Sequence, residues 1–293
     1  MTTVTETSGK EIRPLNARRI GIGILLAVGG VAAVFSKPLY ALVVLMIALG
    51  SLYEFARLSE RRGPVFAYPV AIIAVIAYLT LTYLGEIRRY ESVLLVTTVI
   101  GALAYATFTE RGNYFARSAY TVLGVFYIGK LLSYFIEIRG IPHVGIALSI
   151  YAIVLIAMTD VAAMLTGLAI GRTQLTRLSP KKTVEGAIGG LCVAGALGAA
   201  GGMISPLHLT WWIGLGIGLI TSFAAQAGDL VESALKRDAR VKDAGSVIAG
   251  HGGVLDRFDS FLFGGIAFYF ALWLAGFAVP NLHELLRSAQ APE

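Results

Sequence analysis

Asp229, Glu232, Ser233 and Lys236 recur at i, i+3, i+4 and i+7, so a helix through them carries all four on one face. Asp229 stands near the end of an apolar run, where an ionisable group is costly and points to function. Downstream, Asp256 and Asp259 are three residues apart in the first turn of the next apolar segment, so their carboxylates can point the same way. Those two carboxylates with Asp229 opposite suit a hard, oxygen-ligated cation such as Mg2+, with a second cation allowed. Asp229 and Asp256 are the expected metal ligands. Lys236, Arg237, Lys242 and Arg257 surround that position with positive charge. A cation between carboxylates and bases is an arrangement for handling phosphates. Asp259 also fits a second role, as an ordinary acidic partner of a helix N-terminus. Gly250, Gly252 and Gly253 flank His251 and allow the backbone to come close to a ligand. His251 is expected to orient a carboxylate or bind phosphate.

A second polar segment, residues 172–185, reads "RTQLTRLSPKKTVE". Ser179 as N-cap and Pro180 at the first helical position predict a helix start. Lys181, Lys182 and Thr183 then fall in the first turn, where free N–H groups, two ammoniums and a hydroxyl make an anion site suited to a phosphate chain. Lysine is normally disfavoured at a helix N-terminus, which argues for an expected anion; retention of positive charge on one membrane face is the alternative. No Walker A pattern is present. Asp160 lies about three turns inside another apolar segment and can reach the same site from the membrane side. Lys130, also within a segment, either snorkels outward or pairs with a carboxylate. His143, His208 and His283 sit near segment ends with no metal-spaced partner.

The elements that must position these groups are membrane helices. Of 293 residues, 56% are hydrophobic and 14% charged, with a mean hydropathy of +0.74; soluble domains carry roughly 25% charged residues. Apolar runs able to cross about 30 Å of hydrocarbon recur throughout, and only helices satisfy the backbone there without a closed barrel. The fold expected is therefore an all-α polytopic membrane protein of about nine spans, near 20–36, 39–56, 65–85, 91–108, 115–137, 143–171, 186–205, 211–234 and 260–280. Residues 1–114 read as plain N-terminal spans and 115–293 as a catalytic transmembrane region with polar loops 172–185 and 235–259.

With the N-terminus inside, eighteen Lys and Arg fall in cytoplasmic segments and five outside, which orients the C-terminus outside and both polar loops toward the cytoplasm. The cytoplasmic membrane is the expected location. The net charge of +6 follows from those loops; no basic patch is interleaved with exposed aromatics, so nucleic acid is not an expected partner. The single Cys192 excludes an intramolecular disulfide and is expected to be a small buried apolar residue.

The run "SALKRDARVKDAGSVIAGHGGVLDRFD" resembles the signature of the phosphatidate cytidylyltransferases. The matching positions are Ser233, Lys236, Arg237, Lys242, Asp243, Gly245, His251, Gly252, Gly253, Asp256, Arg257 and Asp259. The preceding "GDLVES" and the upstream "SPKKTVEGAIGG" resemble the same family, as does the order of intramembrane Asp, Ser-Pro loop and His-Gly-Gly loop. Met164, Leu168, Val184 and Ala249 depart from its usual residues. The resemblance covers about residues 120–280.

It implies CTP and phosphatidate as substrates, CDP-diacylglycerol and pyrophosphate as products, and a homodimer, which the residues themselves do not show. On that reading Asp160, Ser179, Pro180, Lys181, Lys182, Thr183, Ser233, Gly252 and Gly253 bind substrate, and Asp229, Lys236, Arg237, Lys242, His251, Asp256, Arg257 and Asp259 serve the chemistry. The rival readings are a related CTP-dependent lipid enzyme, either a polyprenol kinase or an archaeol-type cytidylyltransferase, and an ion-coupled transporter. The last predicts inverted repeats or paired broken helices, which the sequence does not display.

Overall fold

A computed structural model describes residues 29–63, 66–109, 112–204, 206–245 and 252–276. Eight long helices run through them: α1 Lys37–Glu60, α2 Tyr68–Leu84, α3 Ile87–Thr109, α4 Tyr114–Arg139, α5 Gly145–Ile170, α6 Val184–Gly202, α7 Trp211–Asp238 and α8 Leu255–Leu274. All but α2, at 17 residues, are long and apolar enough by themselves to cross a membrane. The chain is an integral membrane protein of all-α architecture. Each of α1 to α7 covers one expected span to within a few residues, whereas α8 begins five residues before the expected 260 and ends at Leu274, with 277–280 outside the described residues. Of the expected first span, residues 29–34 are helical, 35 and 36 form a turn before α1, and 20–28 lie outside the described residues.

Local chemistry sets the helix ends. Proline occupies the first turn of α1 and of α2, where its missing N–H costs nothing. α2 stops at Gly85, whose φ of 80° lets its N–H turn back to the Leu81 and Thr82 carbonyls.

α5, α6, α7 and α8 pack in sequence order, and α7 lies against the other three. α1 and the last part of α4 cover α8 from the N-terminal half. Lipid gives no hydrophobic drive for helices to associate, so close backbone approach must do that work. At the α6–α7 seam a Cβ on Gly198 would stand 2.9 Å from the Gly218 Cα, and one on Gly202 3.3 Å from the Gly214 Cα. The Tyr151 hydroxyl on α5 donates to the Gly198 carbonyl at 2.6 Å, locking a third helix to that seam.

Much of the outer surface is apolar, including Met164, Leu165, Leu168 and Phe223. Cys192 is among the exposed residues, contrary to the burial expected of it. An apolar run in a membrane helix faces lipid as readily as protein, so hydrophobicity alone does not place a residue inside.

α4 contains a π-helical segment, Val125–Lys130. Lys130 at its end pairs with Glu91 of α3 at 2.7 Å and lies over the Tyr134 ring, 4.7 Å from its centroid. Of the two fates open to Lys130, the structure shows pairing with a carboxylate.

Candidate active site

Apart from Lys130, the charged residues singled out above that the structure describes gather at one end of the bundle, where α5, α7 and α8 meet the loop between α5 and α6. Gly228 and Asp229 show how the sequence arranges this. A Cβ at Gly228 would lie 2.7 Å from the Asp259 carbonyl oxygen, so glycine lets α7 press against α8. Asp229, the next residue, is thereby brought beside Asp259. One carboxylate oxygen each from Asp229, Glu232 and Asp259 lie within 4.8 Å of one another. Glu232 and Asp259 are buried and Asp229 is half-buried. Three carboxylates so close in low dielectric repel strongly unless cations answer them.

Two lysines do. Lys182, from the α5–α6 loop, pairs with Asp229. Lys236, one turn beyond Glu232 on α7, pairs with Glu232 and also donates to Asp256 Oδ1 at 2.6 Å. The helical face read from the spacing of Asp229, Glu232, Ser233 and Lys236 is therefore the face turned to the site; Ser233 is buried on it.

Asp256 has further partners. Its Oδ2 accepts the Gly253 N–H at 2.8 Å and the Ala244 N–H at 3.0 Å. It ties the two arms of the 235–259 loop to Lys236 while standing next to the three-carboxylate group. Gly252 has φ of +83°, the backbone freedom expected of it. Asp160 enters from α5, its Oδ1 accepting the Ser260 hydroxyl at 3.2 Å. That contact places it beside Asp259, as its depth in the sequence suggested.

The loop at 172–185 differs in one respect from its expected form. Ser179 and Pro180 do not begin a helix. Lys182 N–H donates to the Ser179 carbonyl at 3.0 Å, closing a turn over residues 179–182. Gln174 and Thr183 then form an antiparallel bridge, flanked by Leu175 N–H to Lys182 O at 2.9 Å and Val184 N–H to Thr173 O at 2.9 Å. The bridge keeps Thr183 extended, so it becomes the N-cap of α6, its hydroxyl accepting the Gly186 N–H at 3.1 Å.

Lys181 and Lys182 are thus in the turn before the helix and not in its first turn, and Asp229 answers the charge of Lys182. Glu185 takes the acidic place in the first turn and accepts the Arg172 and Thr173 N–H groups, each at 3.1 Å. Arg237 fastens the two polar loops together by donating to the Leu178 carbonyl at 3.3 Å. Lys181, Pro180, Lys242 and Arg257 are exposed at the rim. His251 lies outside the described residues.

Glu54, on α1, is a member of this neighbourhood that motif reading passes over. It is 1% exposed, and its carboxylate accepts the Val254 N–H at 3.0 Å and the Leu255 N–H at 2.8 Å. A charge inside the apolar "GSLYEFARL" is the only local hint; its partners are two hundred residues away.

Buried carboxylates answered by lysines, beside exposed bases and loop N–H groups, can hold a divalent cation and a polyphosphate. The chain matches the cytidylyltransferase family over residues 17–275. Phosphatidate cytidylyltransferase of Bacillus subtilis (strain 168) is 34% identical over 265 residues, covering 88% of this chain and 97% of that protein. Phosphatidate cytidylyltransferase 4, chloroplastic, of Arabidopsis thaliana is 34% identical over 305 residues, 90% of this chain and 75% of the relative. Phosphatidate cytidylyltransferase of Staphylococcus aureus (strain COL) is 32% identical over 241 residues, 82% of this chain and 89% of the relative.

Proposed function

The chain belongs to the cytidylyltransferase family, and from that premise we propose that it makes CDP-diacylglycerol and pyrophosphate from CTP and phosphatidate. The observation that carries this reading is the meeting of Asp160, Asp229, Glu232, Asp256, Asp259, Lys182 and Lys236 at one end of an otherwise apolar bundle. One substrate is a lipid held in the bilayer and the other a soluble nucleotide, and that end is where both can arrive.

In the reaction a phosphate oxygen of phosphatidate attacks the α-phosphorus of CTP in line. The bond from that phosphorus to the α–β bridging oxygen breaks, and pyrophosphate leaves with the electron pair. The nucleophile is already an anion, so the protein's task is positioning and neutralisation. Lys182 and Lys181, with the turn at Ser179 and Pro180 and the Thr183 cap behind them, receive the phosphate chain. Lys236 and Arg237, with the rim bases Lys242 and Arg257, balance charge on the transferred phosphate and the departing pyrophosphate. Gly252 and Gly253 give the loop its close backbone approach.

The donor set fits Mg2+: hard oxygens converge from Asp229, Glu232 and Asp259, with Asp256 adjacent through Lys236, and in buried Glu232 Oε2 meets Lys236 while Oε1 has no hydrogen-bond partner among the described residues. When bound, the ion supplies Lewis-acid charge compensation for the phosphates. The bias of Lys and Arg supports a site facing the cytoplasm, with the protein in the cytoplasmic membrane.

The test is product analysis of the purified protein in mixed micelles with Mg2+, CTP and a panel of acceptors. Phosphatidate should yield lipid-extractable CDP-diacylglycerol, and diacylglycerol or a polyprenol should yield nothing. Phosphorylation of the alcohols would instead make it a CTP-dependent kinase, and inactivity with every acceptor would refute the enzyme reading.

A further inference from the structure

We propose that Glu54 is a positioning residue for this transfer: from the N-terminal half it clamps the first turn of α8 and sets where Asp256 and Asp259 stand relative to Asp229 and Lys236. The inference rests on the function proposed above. The first N–H groups of a helix have no partner within it, and Val254, the N-cap of α8, offers no side-chain acceptor. Glu54 fills that place from another helix, taking the Val254 N–H on Oε1 and the Leu255 N–H on Oε2. A carboxylate there also complements the positive end of the helix dipole.

The fit is close on every side. A Cβ added to Gly245 would lie 2.6 Å from the Glu54 Cδ, and one added to Gly253 2.7 Å from it. One turn earlier on α1, a Cβ on Gly50 would meet Val254 Cγ2 at 3.1 Å. Both arms of the 235–259 loop therefore close over one buried carboxylate. Asp256 is one residue beyond the clamped Leu255, and Asp259 is one turn further along. Any slip of the clamp moves both against α7, which holds Asp229 and Lys236. An apolar residue would pack α1 against the loop without the desolvation that a buried carboxylate suffers, so the charge is kept for the N–H groups it holds.

The experiment uses the full-length protein in lipid nanodiscs. Glu54→Gln keeps the shape but turns one acceptor oxygen into a donor facing an N–H. It should lower kcat on the order of 10- to 100-fold, the scale of a small misplacement of reacting groups, with the KM for CTP little changed. Glu54→Asp should recover part of the loss. Gly245→Ala attacks the same clamp from the loop side, and the double variant should be no worse than the worse single one, as expected for residues acting through one contact. Amide exchange over residues 252–258 should accelerate in each.

Wild-type kcat in folded Glu54→Gln overturns the proposal. So does a loss of kcat that follows only the folded fraction, or a rise in KM with kcat intact. If wild-type protein makes no CDP-diacylglycerol, the function reading has failed separately; the exchange comparison still decides the clamp, and unchanged exchange at Val254 and Leu255 overturns it.

Discussion

Lys236→Met removes the cation that Glu232 and Asp256 share in a poorly solvated place. The Lys236 side chain is 14% exposed, Glu232 0% and Asp256 10%. Deleting one partner of a buried ion pair costs about 3–5 kcal/mol, because the other charge stays behind uncompensated. That corresponds to roughly a 10²- to 10⁴-fold change in the unfolding constant. The cost should fall unevenly. Asp256 keeps the Gly253 and Ala244 N–H groups, whereas among the described residues Glu232 has no well-aligned hydrogen bond to replace the lysine. Glu232→Gln in the Lys236→Met background should therefore restore a large part of the stability. The assay is equilibrium unfolding in mixed micelles on wild type, both single variants and the double, since activity would confuse the role of Lys236 in chemistry with its role in the fold. A Lys236→Met protein as stable as wild type, or a double variant no more stable than Lys236→Met, would refute the reasoning.

Other perturbations follow from the same contacts. Lys182→Ala should raise the KM for CTP by about tenfold or more, the scale of one charge-assisted contact, and steady-state kinetics against exposed Lys181→Ala, which should cost less, checks it. Thr183→Ala removes the cap of α6 and should cost about 1 kcal/mol, whereas Thr183→Ser should unfold close to wild type. Gly214→Val forces a side chain into the α6–α7 seam and should destabilise by about 1–3 kcal/mol, seen as a lower unfolding midpoint in detergent.

Much of the scaffold was legible because lipid simplifies the code: an apolar run of sufficient length must be a helix. The face of α7 was legible too, since Asp229, Glu232 and Lys236 keep helical spacing. What stayed hidden depended on contacts distant in sequence. Ser179 and Pro180 carry a helix-start signature, but the Gln174–Thr183 bridge delays the helix to Val184 and gives the cap to Thr183. No local pattern announces that bridge. Glu54 was hidden for the same reason, its partners lying at Val254 and Leu255. The pairing of Lys182 with Asp229 crosses from a loop to a helix, and spacing within either segment cannot reveal it.

The central claim is that the carboxylates around Asp229 serve transfer of the cytidylyl group to a lipid phosphate. It is tested most directly by giving wild type and Asp229→Asn the same phosphatidate, Mg2+ and CTP labelled separately in the base and the γ-phosphate. Wild type should place the base label in lipid and release the γ label as pyrophosphate, while folded Asp229→Asn should move neither. Full activity in Asp229→Asn, or a γ label that enters lipid in wild type, would contradict the account.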